Sequence, residues 1–366
     1  MPIQCPACGA ANPDHSWQCA CGHYFVTTMP KVAAEPPPGD QGPTQLTSSL
    51  PPQTFRLWFR GDGSTLFGIY IVNLLLTLLT VGIYYFWGKV KVRQYLYGQT
   101  EFEGDRCGYH GTGKELLIGW LKAFVILGLL VGFYFAIQAV APGAAELLSN
   151  LLSAFFYMVL IPVAIVGSRR YRLSRTSWRG IRFSFRGHAS ELINIFIRGL
   201  ILTAVTLGIH YPYFQHYLRK FLVSNVYYGS QRLDYDGKGR ELWHIYAVGL
   251  MLTIFTLGIY YFWFSANKAR YYWERTTFNG ARCRSTVTGW NLLKLKLGNL
   301  FLIVLTLGLG YPWAVVRSSR FQTENIVMEG TLDLNAIQQQ AMAASATGEG
   351  FTDLLDVGVL DIDLGF

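Results

Sequence analysis

Apolar residues along the chain gather into six windows, at 66–87, 115–141, 148–167, 191–214, 242–264 and 292–316. Each is long enough to cross a hydrocarbon core, which takes about 20 predominantly apolar residues. Between them lie short polar phrases such as TEFEGDR (100–106) and TSWRGIR (176–182), where apolar and polar positions alternate with the period of two expected of a strand. The pattern predicts a mostly α, polytopic membrane protein of about six hydrophobic helical segments joined by short β-like connectors.

The pattern also repeats. TVGIYYFW (80–87) returns as TLGIYYFW (256–263), and FRGDGSTL (59–66) returns as YHGTGKEL (109–116), FRGHASEL (185–192), YDGKGREL (235–242) and the weaker STVTGWNL (285–292). Gly82, Gly208, Gly258 and Gly308 keep the same register, and each unit closes on a phrase such as VYYGSQR (226–232) or TFNGAR (277–282). Self-similarity at a fixed period defines the architecture. It gives five units of one design, each ordered as glycine-rich opening, apolar helix, Thr-Gly break, aromatic run, basic residues and strand. The second unit carries 26 extra residues that turn one apolar segment into two, joined by APGAA (141–145).

These motifs, F-x-G-x-G-x-x-L, then T-L-G-I-Y-Y-F-W, then T-x-F-x-G-x-R, resemble the YjgN family of bacterial inner-membrane proteins over roughly residues 55–366, including the acidic, leucine-rich tail GFTDLLDVGVLDIDLGF. The resemblance implies a multipass location in the bacterial inner membrane and carries over no activity, substrate or catalytic residue.

Composition agrees with a membrane protein: 51% of residues are hydrophobic and 15% aromatic, while 14% are charged, against about 25% in soluble domains. The net charge of +9 sits beside apolar windows. It therefore points to the lipid bilayer and anionic headgroups as partners, and not to nucleic acid. The opening MPIQCPACGA lacks a basic region followed by an apolar one, so a cleaved secretory signal is not expected and the N-terminus is expected in the cytoplasm. Residues 1–25 hold Cys5, Cys8, Cys19 and Cys21 in two close pairs, a spacing that resembles a small zinc ribbon. Four thiolates fill a tetrahedral zinc shell and leave no place for water, which makes the metal structural. The second knuckle, C-A-C with His23 nearby, departs from the usual C-x-x-C. Residues 26–54 read as a Pro-rich flexible linker, 55–334 as the five-repeat membrane domain and 335–366 as an acidic C-terminal tail.

The basic residues follow the apolar windows and spare only the connection at 141–147. Positive-inside reasoning wants every basic connector in the cytoplasm, which six alternating spans cannot deliver. Window length favours six spans as in inverted-repeat transporters; the alternative lets each single-window unit enter, turn at its Thr-Gly break and come back. Ionisable or polar groups inside such windows are functional-site candidates, here Arg198, Asn73, Asn299 and His244. Snorkelling to the interface is the plainer account of Arg198, as an interfacial position is of Lys294 and Lys296. Cys107 and Cys283 occupy equivalent places and fit small apolar packing better than a redox pair.

No G-x-S-x-G elbow, Walker loop or H-E-x-x-H occurs. The favoured function is therefore transport or binding of a solute or lipid, with the zinc ribbon as a cytoplasmic interaction module that has its own protein partner. The alternative is a non-transporting scaffold that recruits partners through the ribbon and the basic connectors. An enzyme acting on lipid ranks last.

Overall fold

The structure, a computed structural model, describes residues 3–4, 11–12, 53–140, 142–331 and 337. Contacts divide the chain into Met1–Ser48 and Ser49–Phe366. In the first part β1 (Ile3–Gln4) pairs antiparallel with β2 (Ala11–Asn12). Cys5, Cys8, Cys19 and Cys21 lie outside the described residues, and no group of three or more metal-ligating side chains occurs among the described ones.

The second part corrects the expected fold class. Its elements in order are β3 (Gln53–Phe59), α1 (Gly63–Leu79), α2 (Tyr85–Gly98), β4 (Thr100–Phe102), β5 (Asp105–Tyr109), α3 (Gly113–Val140) and α4 (Pro142–Phe155). A π-helical turn at Phe156–Leu160 leads into α5 (Ile161–Ser174), followed by β6 (Thr176–Trp178), β7 (Ile181–Phe185), α6 (Ala189–Val205) and α7 (Tyr211–Ser224). Then come β8 (Val226–Tyr228), β9 (Gln231–Tyr235), α8 (Gly239–Phe255), α9 (Tyr261–Glu274), β10 (Thr276–Phe278), β11 (Ala281–Ser285), α10 (Gly289–Leu305), α11 (Tyr311–Glu324) and β12 (Ile326–Gly330). Strands β3 to β12 form a closed, ten-stranded antiparallel barrel, sealed where β12 pairs with β3 through Gly330↔Gln53 and Val327↔Arg56. Among the described residues two helices, Gly113–Val140 and Glu146–Ser174, are long and apolar enough to cross a membrane, in place of about six.

The physical reason lies in the Thr-Gly breaks. Val81, Leu207, Leu257 and Leu307 have φ near +50°, and the glycine after each is near +92°. Two consecutive left-handed residues reverse the chain, so each of the four single-window spans becomes a hairpin of a 17-residue and a 14-residue helix. The aromatic end of each such window and the basic stretch after it form the returning helix. The connectors, in turn, are paired strands. Glu103-Gly104, Arg179-Gly180 and Asn279-Gly280 take positive φ at both positions, the two-residue reversal that suits a tight β-hairpin. Strands of three to five residues are too short to announce a barrel by periodicity.

Every helix but α4 starts or ends at one rim of the barrel, because β3, β5, β7, β9 and β11 each run into an outgoing helix and each returning helix runs into the next strand. The β-turns occupy the opposite rim. Around the first rim neighbouring helices pack from α1 through α11 and back to α1.

The repeated motifs lock this ring. Added Cβ atoms at Gly61, Gly111, Gly187 and Gly237 would overlap the rings of Phe59, Tyr109, Phe185 and Tyr235 two residues before; in the weaker fifth phrase Ser285 and Val287 exchange those sizes. Gly63, Gly113, Gly239 and Gly289 lie under Trp313, Trp87, Tyr213 and Trp263 of the preceding hairpin. The leucine that ends each opening phrase (Leu66, Leu116, Leu192, Leu242, Leu292) is buried. Arg175 and Arg275 close ion pairs of 2.6 and 2.8 Å to Glu115 and Glu241 at the starts of the outgoing helices. Arg170 and Arg320 donate to the carbonyls of Gly187 and Gly61 in the next unit at 2.9 and 3.0 Å.

Candidate functional site: hairpin tips and barrel interior

The four short hairpins end in bare apolar tips. Val81, Leu207, Leu257 and Leu307 are 92, 94, 95 and 94% exposed, and Leu79, Val205, Phe255 and Leu305 just before them are also exposed. No lysine, arginine, aspartate or glutamate occurs in 63–88, 199–218, 242–267 or 297–316. Contiguous apolar surface of this kind marks a membrane or partner interface. The tip backbone is satisfied from within. Thr206 Oγ1 donates to the Leu202 carbonyl at 2.6 Å and accepts from the His210 N–H at 3.0 Å; Thr80, Thr256 and Thr306 do the same. Gly208 N–H bonds the Thr203 carbonyl at 2.8 Å. A tip with its polar groups satisfied by its own side chains is the form that non-helical backbone needs at membrane depth.

A 17-residue helix is about 25 Å long at 1.5 Å per residue, whereas the 28 residues of α3 reach about 42 Å. Only the second hairpin is therefore long enough to pass through about 30 Å of hydrocarbon while its ends stay at the rim.

Inside the barrel, Phe102, Trp178, Tyr228, Phe278 and Met328 occupy the third position of the five successive short-strand phrases. They pack together with Cys107, Ile181, Phe183, Leu233 and Ile337. Residues from eight strands can meet only in the lumen. Ring centroids are 5.1 Å apart for Phe102 and Trp178, 5.6 Å for Trp178 and Tyr228, and 6.2 Å for Tyr228 and Phe278. Tyr228 Oη donates to the Trp178 carbonyl at 3.0 Å, and Trp178 Nε1 to the Phe102 carbonyl at 3.2 Å. Ile337, beyond β12, lies within this cluster, so the chain returns into the barrel after its last strand. Burial pushes the Cys107 and Cys283 thiols up to about 11 and about 12. Both stay protonated at neutral pH, which removes the thiolate that redox chemistry requires. On the outer face Arg56, Arg106, Arg182, Arg232 and Arg282 stand at equivalent exposed positions.

The four intramembrane candidates do not converge on one site. Asn73 is buried and donates to the Gly88 carbonyl at 3.2 Å. Asn299 donates to the Ala314 carbonyl at 3.3 Å and to Ser318 Oγ at 2.9 Å. Each asparagine thus ties the two helices of its own hairpin where they cross, the place filled by Ala123 against Ala164 and by Gly199 and Gly249 under Phe214 and Phe264 elsewhere. Arg198 and His244 are exposed on α6 and α8, with His244 edge-on to Trp243 at 5.7 Å. The sequence reading missed the lumen aromatics and the buried pair His216 and Arg219 on α7. An aromatic at the same place in four closing phrases was the available signal for the first; the second had none.

Residues 54–236, 230–294 and 264–354 match the family described as bacterial protein of unknown function (DUF898). The chain is 37% identical over 127 residues to inner membrane protein YjgN of Escherichia coli K12, covering 35% of this chain and 30% of that protein. It is 34% identical over 141 residues to inner membrane protein YjgN of Salmonella typhimurium, covering 38% and 34%. The matched stretch therefore spans about a third of the length of either relative. No solved structure matches.

Proposed function

The chain belongs to this family of bacterial proteins, and from that premise we propose that it is an inner-membrane protein whose barrel stands on the cytoplasmic face. Five helical hairpins hold it to the bilayer. The second crosses to the far side at the connection near Gly143, and the other four dip in from the barrel side without crossing. In this arrangement the protein is a membrane platform, the scaffold reading, whose lipid partners are acyl chains at the tips and anionic headgroups at the basic rim.

One observation carries it: all ten strands belong to one barrel, so every basic connector lies on one side of the hairpins. That removes the conflict which six alternating spans create with positive-inside placement. Transport of a solute or lipid draws no support from the lumen, which aromatic rings and Ile337 fill. Structural zinc on Cys5, Cys8, Cys19 and Cys21, with a protein partner for that module, belongs to the same proposal. Elemental analysis should give about one zinc per chain, and C5S/C8S should remove it.

Sidedness tests the platform directly. Single cysteines at Gly143, Ser230 and Asn279 in a cysteine-free background are exposed to an impermeant thiol reagent on intact cells. Position 143 should label, and 230 and 279 should label only after permeabilisation. Labelling of 230 from outside overturns the arrangement.

A further inference from the structure

The second hairpin leaves a cavity between its two arms. In two of the short hairpins that seam is filled by rings, with Phe196 edge-on to Phe214 at 5.3 Å and Tyr246 to Phe264 at 5.1 Å. In the second hairpin α3 meets α5 through two alanines, Ala123 and Ala164. Beyond that contact, toward Gly143, lies a cavity of about 330 Å³, lined by Leu127, Leu130 and Tyr134 of α3 and by Ser149, Ser153 and Leu160 of the returning arm. That volume falls in the range of small-ligand pockets, from about 300 Å³ upward. The π-helical turn Phe156–Leu160 borders the cavity and supplies three of its lining residues; such turns inside helices often mark functional sites. Val131, Ser153 and Tyr157 on its edge are exposed, so it opens to the side of the hairpin.

Position along the hairpin gives the cavity two unlike ends. At 1.5 Å per residue from Gly113, Leu127 and Tyr134 lie about 21 and about 31 Å along α3. With the rim of the barrel at one surface of about 30 Å of hydrocarbon, the cavity occupies the half farther from the barrel. Tyr134 and Ser149, nearest in sequence to the reversal at Pro142, mark its outer end, at the depth where tyrosine meets headgroups. Leu127 and Leu160 mark its inner end. Across residues 123–168 Glu146 is the one charged side chain, so no cation there draws an anionic headgroup, in contrast to the basic side at the barrel. An unfilled void forfeits the dispersion contacts of its lining, and apolar cavities take up apolar guests. At this depth the guest at hand is an acyl chain.

We propose that this cavity binds one acyl chain of a zwitterionic phospholipid from the leaflet opposite the barrel, with the Tyr134 and Ser149 hydroxyls donating to oxygens near its headgroup. The site rests on the platform reading, since it needs the second hairpin in hydrocarbon. It goes beyond that reading in two respects. The four short tips merely enter lipid, whereas this cavity holds a single chain in a shaped space; and the barrel rim favours negative headgroups, whereas this end of the molecule does not.

The test is photo-crosslinking of the full chain in vesicles of equal parts phosphatidylethanolamine and phosphatidylglycerol, one or the other carrying a diazirine in its acyl chain, with adducts mapped by mass spectrometry. Phosphatidylethanolamine adducts should concentrate on Leu127, Leu130 and Leu160 several-fold over Leu129 and Phe133, which are exposed on α3. They should exceed phosphatidylglycerol adducts at the same residues several-fold. Filling the cavity from its edge with S153W, or from within with L130F, should lower them several-fold, and L129W should not; two filling variants guard against one that fails to fold. Adducts spread evenly over cavity and exposed residues, equal yields from the two lipids, or yields unchanged in both filling variants overturn the site. Adducts on Leu129 and Phe133 with none in the cavity, the result expected if a second copy of the chain fills it, overturn the site and leave the platform standing. Adducts nowhere on α3 overturn both.

Discussion

Thr206 holds two helices with one hydroxyl. Its Oγ1 receives the N–H of His210, the residue just before the returning helix, and gives its proton to the last turn of the outgoing one, next to a leucine held at φ +49°. Thr206→Val keeps the shape and removes both bonds; the expected loss is about 1–2 kcal/mol per tip, seen as faster amide exchange at residues 202–211. The lumen thiols give a second residue-scale expectation. Their ordinary value is 9.0, and burial raises it to about 11 in Cys107 and about 12 in Cys283. Above pH 9 the unfolded chain releases these protons while the folded barrel retains them. Their contribution to stability is thus whole below pH 9 and is lost as pH rises through 11 to 12. Thermal melts of the purified protein should fall over that window, and less so in C107A/C283A. The sequence made Cys107 and Cys283 equivalent, but their shared lumen depended on a closure that no local pattern states.

At the scale of elements, the glycine phrases can be read as pairs of sizes. A ring at the strand end requires glycine two residues on, as with Phe185 and Gly187, and the fifth unit instead uses Ser285 with Val287. Ser285→Phe should therefore clash with buried Val287 and destabilise by about 1–3 kcal/mol, while adding Val287→Gly should restore most of it. A double-mutant cycle on melting temperatures reads the coupling, and additive effects would refute the pairing. The order of helix, break, aromatic run and strand was legible because each step has its own residue type. The helix–helix reversal was legible as the alternative, a turn at each Thr-Gly break, but window length outweighed it. A Thr-Leu-Gly break inside 22 apolar residues scores as continuous hydropathy, and only the φ values of Leu207 and Gly208 turn a span into a hairpin. Asn73 and Asn299, candidates as intramembrane polar groups, each find a partner 15 residues away in their own returning helix once the chain doubles back.

For the whole molecule, depth in the bilayer separates the second hairpin from its four neighbours. Tryptophan placed at Leu207, Leu257 or Leu307 in an otherwise tryptophan-free chain should be quenched by brominated acyl chains, and a tryptophan at Gly143 should not. Equal quenching of all four by an aqueous quencher would rule out insertion of the tips. Charge distribution carried a signal of one-sidedness, since only 141–147 lacked basic residues, but window length set it aside in favour of six alternating spans. The ring itself was not legible, because its closure joins Gln53 to Gly330 and leaves no trace in any local window.

That seam between β12 and β3 also fixes an order of events during synthesis. Gln53–Phe59 leaves the ribosome more than 260 residues before its partner Ile326–Gly330, and until then it has one open edge, a standing invitation to pair with the wrong chain. The hairpins need no such wait, since the four short ones are each complete within about 35 residues and the second within Gly113–Ser174, and each can enter lipid as it emerges. Lipid insertion therefore comes first and corrals the strands at one surface. The barrel is the last thing the nascent protein makes, and a ribosome stalled before residue 326 should leave an inserted chain whose strand edges are still accessible to protease.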